Sequence, residues 1–155
     1  MPVLHVAMPV FDEGPTLSRI VDRVMGAPLP SGWSLRLVMV DDGSRPEAAR
    51  VVREARERGG SSAELLVHPM NRGKGAALLT AFDHVLAGAA DADAVLVQDA
   101  DLEYDPADDP ALLGALAPGT GAVFGNRWAG TRRRVGHHVL HPVVVHQAHV
   151  ALSQG

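Results

Sequence analysis

Cysteine is absent from the 155 residues, so no disulfide holds this chain together and no thiolate can serve as a nucleophile. The opening Met1-Pro2-Val3-Leu4-His5 lacks the charged and apolar segments of a secretory signal. No apolar run approaches the roughly 20 residues that cross a bilayer. A cytoplasmic location is the expectation, with any membrane contact peripheral and at the inner face. Positive charge is not in excess either. The 14 Lys and Arg against 18 Asp and Glu leave a net charge of -4, which argues against a nucleic-acid binder while leaving local arginines free to hold small anions. Lysine is scarcest of the charged residues: Lys74 is the only one beside thirteen arginines.

What is present is ordinary globular composition, 46% hydrophobic and 21% charged, enough for one domain with its own core. Short apolar runs at Val3 to Met8, Leu35 to Val40, Leu65 to Val67, Ala94 to Val97 and Ala122 to Phe124 read as strands buried on both faces. Helical patterns separate them. Leu17, Ile20, Val21, Val24 and Met25 recur at helical spacing behind Pro15. Ser44-Arg45-Pro46-Glu47 has capping-box spacing ahead of Val51, Val52 and Ala55. Asn71 to Gly75 leads into an Ala- and Leu-rich helix to about Ala87, expected to be well buried, and Asp105-Pro106 opens a last one with Leu112, Leu113 and Leu116. The fold class is therefore α/β, a mostly parallel sheet flanked by helices.

In such sheets ligands bind outside the carboxyl ends of the strands, and the informative residues fall there. The strand ending in Gln98-Asp99-Ala100-Asp101-Leu102-Glu103 delivers acids at i, i+2 and i+4. Hard cations favour carboxylate oxygens completed by phosphate and water, so this spacing points to metal more than to a solvated acidic turn. Asp41 and Asp42 can accept from a nucleobase N–H or a ribose hydroxyl, although an Asp there can equally cap a turn. The Asn71-Arg72-Gly73-Lys74-Gly75 loop offers two glycines, a cation and a helix N-terminus, all favourable to an anion. Metal plus phosphate implies a nucleotide substrate.

Together, Val6 to Glu13, Val40 to Ser44, Asn71 to Ala77, Gln98 to Pro106 and Gly125-Asn126-Arg127 resemble family 2 glycosyltransferases of the GT-A fold, most of all the dolichyl- and polyprenyl-phosphate sugar transferases. Each motif is weak alone; five in order at successive strand ends are specific. The resemblance implies a Rossmann-like GT-A sheet and an inverting transfer from a nucleotide-diphosphate sugar, of the GDP-mannose or UDP-glucose type, to a polyprenyl or dolichyl phosphate. It implies that Pro9, Val10, Phe11, Glu13 and Asp41 or Asp42 line the base and ribose, and that Lys74, Ala100 and Arg127 complete the donor site. Asp99, Asp101 and Glu103 would hold Mg2+ or Mn2+ on the diphosphate, with Asp99, Asp101 and Arg127 in the catalytic role. Arg132, Arg133 and Arg134, by themselves a solvated run, would position the acceptor phosphate. Phe11 and Asp12 stand where relatives often carry Tyr and Asn.

The resemblance spans residues 3 to about 134 and makes residues 1–134 the nucleotide-sugar-binding donor half; relatives continue into an acceptor half that this chain is expected to lack. Residues 135–155 read as a divergent, His-rich tail. His137, His138, His141, His146 and His149 fall there, but Pro142 interrupts any helix that would pair them and no acid or cysteine completes a metal site. A donor-binding module or degenerate fragment without transferase activity is the alternative. A nucleotidyltransferase ranks lower, because its glycine-rich loop should follow the first strand, where this chain has Pro9 to Glu13.

Overall fold

The computed structural model describes residues 1–116, 122–123 and, for the backbone alone, 124 and 144–147. Six strands form one sheet in the order β3-β2-β1-β4-β6-β5. They are β1 (Val3–Val10), β2 (Ser34–Asp41), β3 (Ala63–Val67), β4 (Ala94–Val97), β5 (Ala122–Phe124) and β6 (Val144–Gln147). β3, β2, β1 and β4 pair in parallel, whereas β6 runs antiparallel to both β4 and β5. The five expected strands are all present. β6 lies in the segment read as a tail.

Helices α1 (Thr16–Met25), α2 (Pro46–Arg58), α3 (Lys74–Leu86) and α4 (Asp109–Gly114) connect the strands, with a 3-10 turn at Pro106–Asp108 leading into α4. Alternation along the strands sorts the side chains between two cores. Val6, Met8, Leu37, Met39 and Leu96 point to one face, where they meet Leu17, Ile20, Val21 and Val24 of α1, Val52 and Ala55 of α2, and Leu113 of α4. Ala7, Val38, Val40 and Val95 point to the other, covered by Ala77, Ala81 and Val85 of α3. Small residues at i, i+4 and i+8 let α3 sit close on the sheet. Only that stripe is buried: Leu79 and Leu86 are exposed, because among the described residues no second helix flanks α3 on its face, so the expectation of a well-buried helix holds for one side alone.

The capping-box expectation fails. Arg45, not Ser44, occupies the N-cap of α2, and no side chain caps that helix. Pro46 begins it with a φ already suited to a helix. Ser44 is diverted: its Oγ accepts from the Asp12 N–H at 2.9 Å and its own N–H donates to Asp41 Oδ1 at 2.9 Å.

At the amino ends of the strands, Asp93 aligns β1 with β4. It accepts from the N–H of Val3 at 2.8 Å and of Ala90 at 2.9 Å, and His5 Nε2 lies 3.3 Å from its Oδ2. Burial alone would raise the Asp93 pKa, but these bonds outweigh it and hold the group below its ordinary 3.8. A lowered carboxyl pKa stabilises the fold above the unfolded value and ceases to do so as pH falls through the folded one. Asp93→Asn is therefore expected to lower stability at pH 7 by about 1–3 kcal/mol and to flatten the loss of stability below about pH 4, as read by urea denaturation at stepped pH. An unchanged acid limb would contradict this.

Candidate functional site

The strand order reverses at β1, with β2 and β3 to one side and β4 to the other, and sheets of this kind open a crevice at that switch point. Here the opening has a plain cause. β4 pairs with β1 only as far as Ala7↔Val97, while β1 runs on beside β2 to Val10↔Asp41. Beyond Gln98, whose N–H still donates to the Ala7 carbonyl at 3.0 Å, the two chains part. A cavity of about 270 Å³ lies between them, lined by Pro9, Val10, Phe11, Glu13, Asp42, Asn71, Lys74, Asp99, Ala100 and Asp101. Loops after four strands meet in it.

Each wall is held by specific bonds. In the loop after β1, Asp12 sits at φ 52°, a left-handed conformation that Asp tolerates better than most residues. Its carboxylate accepts from the Arg45 N–H at 2.8 Å and from Arg45 Nε at 2.9 Å. Phe11 and Glu13 on either side are thereby fixed on the cavity wall. Gly43, at φ 76°, lets the loop after β2 touch the loop after β3: a Cβ there would stand 2.3 Å from the Met70 carbonyl carbon and 2.5 Å from the Asn71 nitrogen. Asp42, beside it, accepts from the Arg72 N–H at 3.0 Å and the Gly73 N–H at 2.7 Å, and His68 Nδ1 lies 2.6 Å from its Oδ1. Burial pushes the Asp42 pKa up, but the bonds from His68, Arg72 and Gly73 prevail and hold it below the ordinary value.

The cavity is acidic. Among the described residues, Glu13, Asp42, Asp99 and Asp101 face it together with one cation, Lys74, whose Nζ lies 2.6 Å from Asp99 Oδ1. Burial, then the charges of Asp101 and Asp99, push the Glu13 carboxyl above its ordinary 4.5. Such a wall favours positive charge. The donor set fits a hard cation: Asp99 and Asp101 offer carboxylate oxygens on one wall, and Asp99 already holds an ammonium. Among the described residues no three acids or histidines gather closely enough to hold a metal by themselves, so ligands from phosphate and water would be required.

Of the residues expected from sequence, Pro9, Val10, Phe11, Glu13, Asp42, Lys74, Asp99, Ala100 and Asp101 line this cavity. Asp41 is buried beside it, its Oδ1 accepting from Ser44. Glu103 is outside the lining; its N–H donates to Asp101 Oδ1 at 3.2 Å. Arg127, Arg132, Arg133 and Arg134 lie outside the described residues. Sequence reasoning gave Asn71 no role of its own, although it lines the cavity, and passed over His68 entirely. The polar His68 immediately after an apolar strand was the available signal.

The family model described as Glycosyl transferase family 2 matches residues 5–141, reaching past residue 134 into the segment read as a tail. An undecaprenyl-phosphate 4-deoxy-4-formamido-L-arabinose transferase of Edwardsiella ictaluri is 33% identical over 116 residues, which are 75% of this chain and 34% of that protein. The enzyme of the same description from Pseudomonas savastanoi pv. phaseolicola is 28% identical over 153 residues, 97% of this chain and 44% of its own. This chain thus spans between a third and a half of the length of these relatives. Among solved structures, a mannosyltransferase from Pyrobaculum calidifontis in complex with GDP-Man and Mn2+ superposes with a TM-score of 0.62 at 26% identity, covering 77% of this chain and 34% of that one.

The electrostatic reading of the cavity makes a direct prediction. In Asp101→Asn the Glu13 carboxyl should titrate lower than in the parent, though still above the ordinary value because burial persists, as followed by carbon-detected NMR. An unchanged or higher midpoint would show that the two carboxylates do not share one field.

Proposed function

Because the chain belongs to glycosyl transferase family 2 and has its GT-A fold, we propose that the cavity binds the nucleotide diphosphate of a sugar donor and that the sugar passes, with inversion, to a polyprenyl phosphate. The observation that carries this reading is the convergence of Phe11, Glu13, Lys74, Asp99 and Asp101 on one cavity at the switch point. The Pyrobaculum structure, described with GDP-Man and Mn2+, supports a nucleotide sugar together with a divalent ion; Asp99 and Asp101 would hold that ion, Mg2+ or Mn2+, here. The relatives, named for undecaprenyl phosphate, support a lipid phosphate as acceptor, and with it action at a membrane surface. Among the described residues no helix is long and apolar enough to cross one.

In this scheme the half-exposed Phe11 ring offers a face to the base, and Pro9 and Val10 bound the base pocket. Asp42, the one of the two acids that lines the cavity, faces the ribose and base. An acceptor phosphate is already an anionic nucleophile, so its oxygen attacks the anomeric carbon as the bond to the nucleotide diphosphate breaks, and no general base is required. A divalent cation, when bound, offsets charge on the departing diphosphate. Lys74 adds positive charge at the same wall; removing one such stabiliser typically costs about 10²–10³ in kcat. Arg127 on the donor phosphates and Arg132, Arg133 and Arg134 on the acceptor phosphate are assigned by resemblance.

Calorimetric titration with GDP and with UDP, each with and without Mn2+, tests the donor site. Metal-dependent binding of one of them is expected, at least about tenfold weaker in Asp99→Ala/Asp101→Ala, a loss of about 1.4 kcal/mol or more. Folded protein that binds neither nucleotide would refute the proposal.

A further inference from the structure

A buried histidine links the cavity's loops and has no part in the scheme above. His68 follows β3; its side chain is 6% exposed and that of Asp42 is 3%. Nδ1 lies 2.6 Å from Asp42 Oδ1, and Nε2 lies 2.9 Å from Thr80 Oγ1 in the second turn of α3. An ionised carboxylate only accepts hydrogen bonds, so Nδ1 carries the proton and donates. On a neutral ring Nε2 then accepts from the Thr80 hydroxyl. The ring thus connects the end of β2 to the body of α3, and the loop between them carries Asn71 and Lys74.

We propose that His68 is a positioning residue for the donor, acting through Asp42 to set the loop that presents Asn71 and Lys74 to the nucleotide diphosphate. Asp42 Oδ1 receives both His68 Nδ1 and the Arg72 N–H, and Oδ2 receives the Gly73 N–H. Without the imidazole donor the carboxylate is free to rotate, and the two amide bonds that shape the turn before Lys74 lose their common acceptor. No side chain caps α3; Asn71 Oδ1 shares the Gly73 N–H with Asp42, at 3.0 Å, but the Arg72 N–H goes to Asp42. His5 and Asp93 form a similar pair at the opposite ends of the strands, at a longer 3.3 Å and away from the cavity. It provides an internal control: the same chemistry, with structural consequences alone.

This inference rests on the nucleotide-sugar reading of the cavity, and the test separates the two. An Asn amide nitrogen at position 68 falls near Nδ1, whereas a Gln amide falls near Nε2, so His68→Asn keeps the donor to Asp42 and His68→Gln does not. Titration with whichever of GDP or UDP binds the parent in Mn2+ should find His68→Asn within about threefold of the parent and His68→Gln weaker by about tenfold or more. Amide hydrogen exchange should accelerate in His68→Gln alone, most at Arg72 and less at Gly73, which Asn71 Oδ1 also holds. His5→Gln should lower the melting temperature and leave the affinity unchanged. Equal affinity of His68→Gln and parent, or equal weakening by Asn and Gln, would overturn the assignment. Should His68→Gln not fold, Thr80→Val loosens the ring from its far side: faster exchange at Arg72 with affinity reduced about threefold supports the proposal, and unchanged affinity refutes it. A folded parent that binds neither nucleotide overturns the donor reading and this assignment together.

Discussion

The Asp42 carboxylate is the point on which the site depends. It stands at the end of a central strand with both oxygens engaged, by His68 and the amides of Arg72 and Gly73, and it ties the loop after β2 to the loop that starts α3. Removing one partner of a buried hydrogen bond typically costs about 1–3 kcal/mol, and more where the group left behind is charged. The cost of burying Asp42 is tolerable only while all three donors are in place, so the loop geometry is specified tightly. Gly43 makes the same contact possible sterically, since any side chain there would collide with the backbone of Met70 and Asn71.

From that fixed edge the rest of the cavity follows. The sheet splits where β4 stops pairing with β1, and the acids at the end of β4 stand opposite the loop that Asp12 and Arg45 lock in place. The result gathers Glu13, Asp42, Asp99 and Asp101 with a single ammonium. Burial, and then the charges of Asp101 and Asp99, hold the Glu13 carboxyl above its ordinary value. An added cation would offset those charges. A protein stabilised only by its core has no reason to concentrate acids this way; a site that holds cation and phosphate together does.

Much of this was legible in the chain. The five apolar runs became strands because β-branched and aliphatic stretches buried on both faces admit few alternatives, and the Leu17 to Val24 spacing became α1. The acids at Asp99 and Asp101 reached the cavity because a strand end dictates where the next residues emerge. Local signals misled where long-range contacts intervened. Ser44 had the spacing of a cap but bonds Asp12, a residue 32 positions away. The Ala- and Leu-rich α3 promised a well-buried helix, but solvent meets its outer face at Leu79 and Leu86. His68 and Asn71 were missed because their value lies in partners from other loops. β6 was missed because its strand pairing draws on β4 and β5 rather than on any pattern of its own.

The central claim is that one cavity, at the switch point, holds cation and nucleotide diphosphate together. Paramagnetic broadening of amide resonances by substoichiometric Mn2+, with UDP or GDP present, locates the ion directly. The account predicts a maximum at Asp99 to Asp101 that extends to Glu13 and Lys74 and disappears when excess Mg2+ competes. A maximum elsewhere, for instance along the acidic stretch from Asp105 to Asp109, or broadening that is uniform over the chain, would contradict it.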